Sequence, residues 1–180
     1  MATTTQRQSL KALQERLAGR LAEAKKSGPD ASWLAVQARG SRYLLPLVHS
    51  GEIFPVPVIQ PVPHTRPWFL GVSAVRGALV SVVDMAHLFG VHQGQSVPPL
   101  KLTPETKLVA LNSALGLNAA LLIDRLVGLR SAGMFVGAVP SAAHAMPVFS
   151  QLLTDAQGVE WQELNLQALL DWPDFLSVAA

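Results

Sequence analysis

Five histidines, twelve carboxylates and no cysteine make up the reactive inventory of this 180-residue chain. Without cysteine there are no disulfides, thiolate metal sites or sulfur nucleophiles, which fits a reducing compartment. His87 and His92 stand five apart with Gly90 between them. Two metal ligands on one helical face need a spacing of three or four. His49, His64 and His144 fall in separate loops with no acidic neighbour in sequence. Asp84 and Asp124 could serve as an acid and base if the fold joined them. Each also has a plainer role at the end of a strand, Asp84 as a helix cap and Asp124 in a turn beside Arg125. There is no G-x-S-x-G elbow, no phosphate-binding G-x-x-x-x-G-K and no G-x-G-x-x-G. A small β-barrel enzyme built on convergent loop residues such as His87, His144 and Asp84 stays open as an alternative. So does a nucleic-acid-binding barrel, although Tyr43 beside Arg42 is its only aromatic–basic pair. The inventory points instead to a binding module with no cofactor and no metal.

One cation stands out for such a role. Between Trp68 and Val83 the only ionisable side chain is Arg76, and Gly77 follows it. The stretch reads as strand, tight turn and strand, so the turn presents a single guanidinium at the tip of an apolar hairpin. Such a tip meets either water, as a solvated turn residue, or a carboxylate on a partner protein.

Composition supports contact with partners. Charged residues are 14% of the chain, against the usual ~25%. Hydrophobic residues are 49%, which leaves apolar surface uncovered. The net charge of +2 is unevenly placed. Residues 1–26 carry six basic and two acidic side chains, whereas residues 155–174 carry five acids and no base. The body is therefore not a cationic surface, and nucleic acid is not an expected partner. The longest stretch free of Asp, Glu, Lys and Arg, Ser131 to Thr154, holds Gly133, Gly137, Pro140 and Pro147 and does not read as a membrane span. The first eight residues have no apolar core after a basic start, so a cytoplasmic protein without a signal peptide is expected.

Residues 6–26 read as a helix. Thr5 and Gln8 form a capping box, and Leu10, Leu13, Leu17, Leu21 and Ala24 fall on one stripe. Gly28-Pro29 ends it. From residue 32 the texture turns to short β runs. Trp33–Ala38 and Arg42–Leu47 flank an Arg39-Gly40-Ser41 turn. Five prolines between 55 and 67 predict an edge or extended connector. Phe69–Val75 and Ala78–Val83 form the Arg76 hairpin, with Asp84 capping a helix Met85–Phe89 that ends at Gly90. Further strands are expected at Lys107–Leu111, Ala119–Asp124, Leu126–Arg130, Met146–Leu153 and Val159–Leu164. Gly133–Ala143 reads as small and flexible, and Leu166–Trp172 as a closing helix capped by Asn165. Short strands at this spacing indicate an all-β barrel or sandwich.

The middle of the chain resembles the CheW-like coupling proteins of bacterial chemosensory systems. The resemblance rests on Gly51-Glu52-Ile53, Pro61-Val62-Pro63, Leu70 through Gly77 (L-G-V-S-A-V-R-G), Val82-Val83-Asp84-Met85 and Leu122 through Val127 (L-I-D-R-L-V). These occur in the family's order and spacing between about Trp33 and Phe175. Trp68, Leu88-Phe89-Gly90, Val127 through Arg130 and the N-terminal helix look most like the coupling proteins of type IV pilus (twitching motility) systems. Two positions depart: Ala74 stands where the family usually has asparagine, and Ser81 where it usually has proline.

The resemblance implies an N-terminal helical extension (1–30) and a CheW-like domain (31–180) of two intertwined, five-stranded SH3-like barrels. It implies a non-catalytic adaptor that links the cytoplasmic tip of a membrane chemoreceptor to the regulatory domain of a CheA-like histidine kinase. Paralogous coupling proteins are a further partner class, and no membrane insertion is implied. Arg76 and Gly77 map to the receptor-binding groove, Glu52 and Ile53 to partner contact, and Gly71 and Val72 to the same region by proximity.

Overall fold

A computed structural model describes residues 32–141 and 146–180. The helix expected over 6–26 and the histidine His144 lie outside the described residues. Eleven strands and three short α-helices follow in chain order: β1 (Ser32–Ala38), β2 (Ser41–Pro46), β3 (Ser50–Pro55), β4 (Phe69–Val75), β5 (Ala78–Asp84), α1 (Met85–His92), β6 (Lys107–Leu111), β7 (Ala119–Ile123), β8 (Arg125–Ser131), β9 (Phe135–Pro140), β10 (Phe149–Asp155), β11 (Glu160–Leu164), α2 (Leu166–Leu170) and α3 (Pro173–Leu176).

The strands form two sheets. One has six strands in the order β8-β1-β2-β11-β10-β9, and the other five in the order β3-β6-β7-β5-β4. This corrects the expectation of an all-β fold with two closed five-stranded barrels. The fold is mixed, the strands divide six and five, and neither sheet closes. The proline-rich connector supplies a physical reason in the five-stranded sheet. Pro55, Pro57, Pro61 and Pro63 have no N–H to give to a ladder. Along this segment the backbone pairs with β4 at a single bridge, Gln60 donating to Val72 O at 2.7 Å and accepting from Val72 N at 2.9 Å. Edge strands β3 and β4 are therefore not joined by a ladder. In the six-stranded sheet, β8 and β9 are consecutive in sequence yet occupy opposite edges.

Apolar alternation builds the core between these layers. Leu34, Val36, Tyr43 and Leu45 from β1 and β2 meet Val83, Val109, Leu121 and Ile123 from the second sheet. Helix α1 places Met85, Leu88 and Phe89 among them, and α2 and α3 add Leu166, Leu169 and Phe175. Tyr43, 6% exposed, packs 5.6 Å from the Phe89 ring. Burial pushes its hydroxyl above the ordinary tyrosine range, against a lowering hydrogen bond with Ser41. The ring that an oligonucleotide would stack on is thus inside the core.

Other expectations need adjustment. Helix α1 runs to His92, two residues past Gly90. A Cβ at Gly90 would meet the Val97 side chain, so that glycine makes room for a returning loop and is not a cap. The segment expected to be flexible contains β9, which pairs with β10 from Pro140↔Gln151 to Phe135↔Asp155. Helix α2 is shorter than expected but is capped as read, with Asn165 Oδ1 accepting from Ala168 N at 3.1 Å.

The β10–β11 turn carries a pH-sensitive contact. The Asp155 carboxylate accepts from Trp161 Nε1 at 3.0 Å, Val159 N at 2.9 Å and Gln157 N at 3.0 Å. The Trp161 bond is the largest influence holding this carboxyl below its ordinary value; desolvation opposes it, and the two backbone bonds and Arg130 assist. A carboxyl lowered in the folded state stabilises fully above its unfolded value and loses that contribution as pH falls through the folded one. Asp155→Asn is therefore expected to flatten the dependence of urea midpoint on pH below about pH 4. An unchanged slope there would show that the contact contributes nothing.

Candidate functional site

Two Arg-Gly pairs close two-residue hairpins in this fold. Arg39 and Gly40 have φ values of 45° and 87°, and Arg76 and Gly77 have 50° and 81°. Positive φ at both central residues is what a twisted two-residue hairpin requires. Arginine tolerates it at about 1–2 kcal/mol, so each site holds a side chain at the expense of some backbone strain.

The two guanidiniums meet opposite fates. Arg76 stays at the surface, its side chain 78% exposed, and pairs with Glu52 Oε1 at 2.6 Å. Glu52 lies on β3 and Arg76 beyond the end of β4, so the pair links the two edges of the five-stranded sheet. An exposed pair of this kind contributes about 0–1 kcal/mol, which leaves it free to exchange partners. Exposed Leu79 sits on the same hairpin, and exposed Val58 lies on the connector whose carbonyl accepts from Ser73 Oγ at 2.7 Å. A cation with apolar surface nearby has the anatomy of a protein-contact site.

The remaining residues assigned to this region separate by role. Ile53 is half-buried and pairs with Val109 in the ladder. Val72 is committed through its backbone to Gln60. Gly71 is buried with φ +132°, and a Cβ there would run into the Gln60 carbonyl. Its need is structural: the connector lies on it. Of the six, the structure joins Glu52 directly with Arg76, adjacent to Gly77. Ala74 is exposed on β4. At Ser81 the backbone N–H donates to Asn118 O at 3.0 Å, a bond that a proline could not make.

Arg39, read from sequence only as a turn residue, ties the sheets together. Its guanidinium pairs with Asp84 at the end of β5, with side-chain exposures of 7% and 4%. Its backbone N–H donates to Asp124 Oδ2, while Asp124 N donates to Gln37 O at 2.9 Å. Asp84 Oδ1 also accepts from His87 N at 3.0 Å, which caps α1 as expected. The imagined acid–base pair is thus occupied in structural bonds to one arginine. Arg125 turns to Gln37 Oε1 at 2.7 Å and not to Asp124. A cleft of about 490 Å³ opens beside this knot, lined among others by Arg39, Lys101, Glu105, Asp124 and Arg125. Among the described residues no three His, Asp or Glu side chains group closely enough to hold a metal ion. No described helix is long and apolar enough to cross a membrane.

Comparison with known proteins bears on the whole arrangement. Among solved structures the chain is similar to the scaffolding protein TtCheW from Thermoanaerobacter tengcongensis, with a TM-score of 0.61 and 14% identity over 76% of this chain and 89% of that one. At that identity the likeness is one of fold. No curated protein matches the sequence. The CheW-like domain model matches residues 32–173. The chain therefore belongs to the CheW-like domain family and is a non-catalytic CheW-like coupling protein, consistent with chemotaxis-type signal transduction.

Proposed function

We propose that this protein works in the cytoplasm, within receptor arrays, and couples the cytoplasmic tip of a methyl-accepting chemoreceptor to a CheA-like histidine kinase. The receptor contact is made by Arg76 and Gly77, with Glu52, Ile53, Gly71 and Val72 around them. The supporting observation is the Arg76–Glu52 pair, in which two residues 24 positions apart meet in a surface ion pair that the fold does not need. A receptor carboxylate can replace Glu52 while apolar receptor side chains cover Leu79 and Val58. The system is of the type IV pilus kind. That assignment rests on Trp68, Leu88-Phe89-Gly90 and Val127 through Arg130, where the chain looks most like PilI. Residues 1–30, which lie outside the described residues, modulate partner choice.

The test is Arg76→Glu, measured against the cognate receptor's cytoplasmic fragment and the kinase regulatory domain. Receptor affinity is expected to fall at least thirtyfold, about 2 kcal/mol or more. Kinase affinity and the thermal midpoint should stay near wild type, because a turn charge contributes little to stability. Unchanged receptor affinity would remove Arg76 from the contact. Turnover of a small molecule by the purified chain would overturn the reading as a whole.

A further inference from the structure

The cleft of about 490 Å³ beside Arg39 holds chemistry that the Arg39–Asp84 knot does not use. Two segments supply its other charges. The β7–β8 turn brings Asp124 and Arg125, and the loop between α1 and β6 brings Lys101 and Glu105. Each segment thus carries one cation and one carboxylate. Among the described residues the ion pairs are Arg39–Asp84 and Arg76–Glu52, and none of these four charges enters one. Opposite charges that line one cleft and stay unpaired are open to a ligand that carries both signs.

Both segments are held in place. Arg125 Nε donates to Gln37 Oε1 at 2.7 Å, which orients the guanidinium through one of its N–H groups and leaves the two NH₂ ends uncommitted. One Asp124 oxygen accepts from Arg39 N, and the other has no hydrogen-bond partner among the described residues. In the loop, Pro98 and Pro99 fix two φ angles, and Leu100 packs against the cluster of Val82, Leu108 and Leu122. Thr103 N donates to Thr106 Oγ1 at 2.9 Å and Thr106 N to Thr103 O at 3.0 Å, with Thr106 buried. Lys101 therefore stands between an anchored leucine and a bonded turn that contains Glu105. A ligand would not have to order either segment before meeting its charges.

We infer that this cleft binds a small zwitterion of dipeptide size. Its carboxylate lies against Arg125 and Lys101, its ammonium against Asp124 and Glu105, and an apolar side chain against Pro98 and Pro99. A planar guanidinium with both NH₂ ends free suits a carboxylate. The volume sets the size: a cavity of about 150 Å³ takes up benzene, so this cleft has room for about three such groups. A ligand of one sign alone would meet as many repulsive charges as attractive ones. None of these residues belongs to the Arg76 contact.

The dipeptide Ala-Leu is the probe, with N-acetyl-Ala-Leu lacking the ammonium and Ala-Leu amide lacking the carboxylate. Calorimetry on the full-length protein is expected to give a Kd below about 1 mM for Ala-Leu. Each blocked form should bind at least about tenfold more weakly, the contribution of a hydrogen bond to a charged group. In ¹⁵N-labelled protein the amide shifts should centre on Arg39, Lys101, Glu105, Asp124 and Arg125. Arg125→Gln should narrow the gap between Ala-Leu and its amide. Asp124→Asn, which keeps an oxygen for the Arg39 N–H, should narrow the gap between Ala-Leu and its acetylated form. The inference is overturned if Ala-Leu binds more weakly than about 1 mM, if the shifts centre elsewhere, or if both variants fold and leave the gaps unchanged. It is equally overturned if either blocked form binds the wild type as tightly as Ala-Leu, a comparison that holds even if neither variant folds.

Discussion

Arg39→Ala is expected to lower the unfolding free energy by about 3–5 kcal/mol, the range for removing one partner of a buried ion pair. The Asp84 carboxylate would stay buried with only the His87 N–H to face it. An exposed turn arginine would give less than about 0.5 kcal/mol, so a urea titration separates the two roles. Asp84→Asn retains an oxygen that can cap α1 while removing the charge. The double variant Arg39→Met with Asp84→Asn should then be more stable than Arg39→Ala alone, because no charge is left without a partner. A loss below about 1 kcal/mol in Arg39→Ala would mean that water replaces the guanidinium at little penalty.

Gly71→Ala carries the next largest expected effect, a loss of about 3 kcal/mol. Two penalties act together. The backbone is at φ +132°, and the new methyl group meets the Gln60 carbonyl, which is main chain and cannot swing aside. The neighbouring connector offers no substitute bond, because proline recurs along it. Amide exchange should report the cause directly: protection at Gln60 and Val72 should fall well before protection in β6 and β7. If Gly71 acted only by touching a partner, alanine would leave stability and exchange unchanged and would weaken receptor binding alone.

Much of the fold was legible because its local signals agree with its packing. The Arg76 hairpin, the Asp84 cap and the Asn165 cap come from turn and capping chemistry that depends on a few neighbouring residues. Closure was not legible. Whether a sheet's two edges meet depends on pairings between segments far apart, and proline removes donors without saying where the strand will go. The strand β3 was missed because Glu52 and Ile53 precede a run of prolines that masks the alternation. Strand β9 was missed because Gly133, Gly137 and Ala138 weaken any strand signal, and its pairing with β10 supplies what propensity lacks. The site shows the limit most clearly. Arg39-Gly40 and Arg76-Gly77 have the same residues, the same turn and the same φ signs, yet one side chain goes in and the other out. The neighbours decide it: Asp84 waits inside for the first, and Glu52 lies at the surface for the second. The meeting of Glu52 with Arg76 was reachable only by placing both in one contact region through the family pattern.

The nesting of one sheet inside the other orders events at the ribosome. The six-stranded sheet draws on residues 32–46 and 125–164, and the five-stranded sheet lies wholly between them, from 50 to 123. During synthesis β1 and β2 emerge first; β8, which pairs with β1, follows directly after the five-stranded sheet, but β11, which pairs with β2, emerges last. The middle layer has its full complement of strands some forty codons earlier. At about 5–20 residues per second that is several seconds before β11 can pair with β2, in which the five-stranded sheet and α1 cover the apolar face of the first hairpin. A nascent chain halted after residue 123 should already protect the inserted layer from protease while the outer one stays open to cleavage.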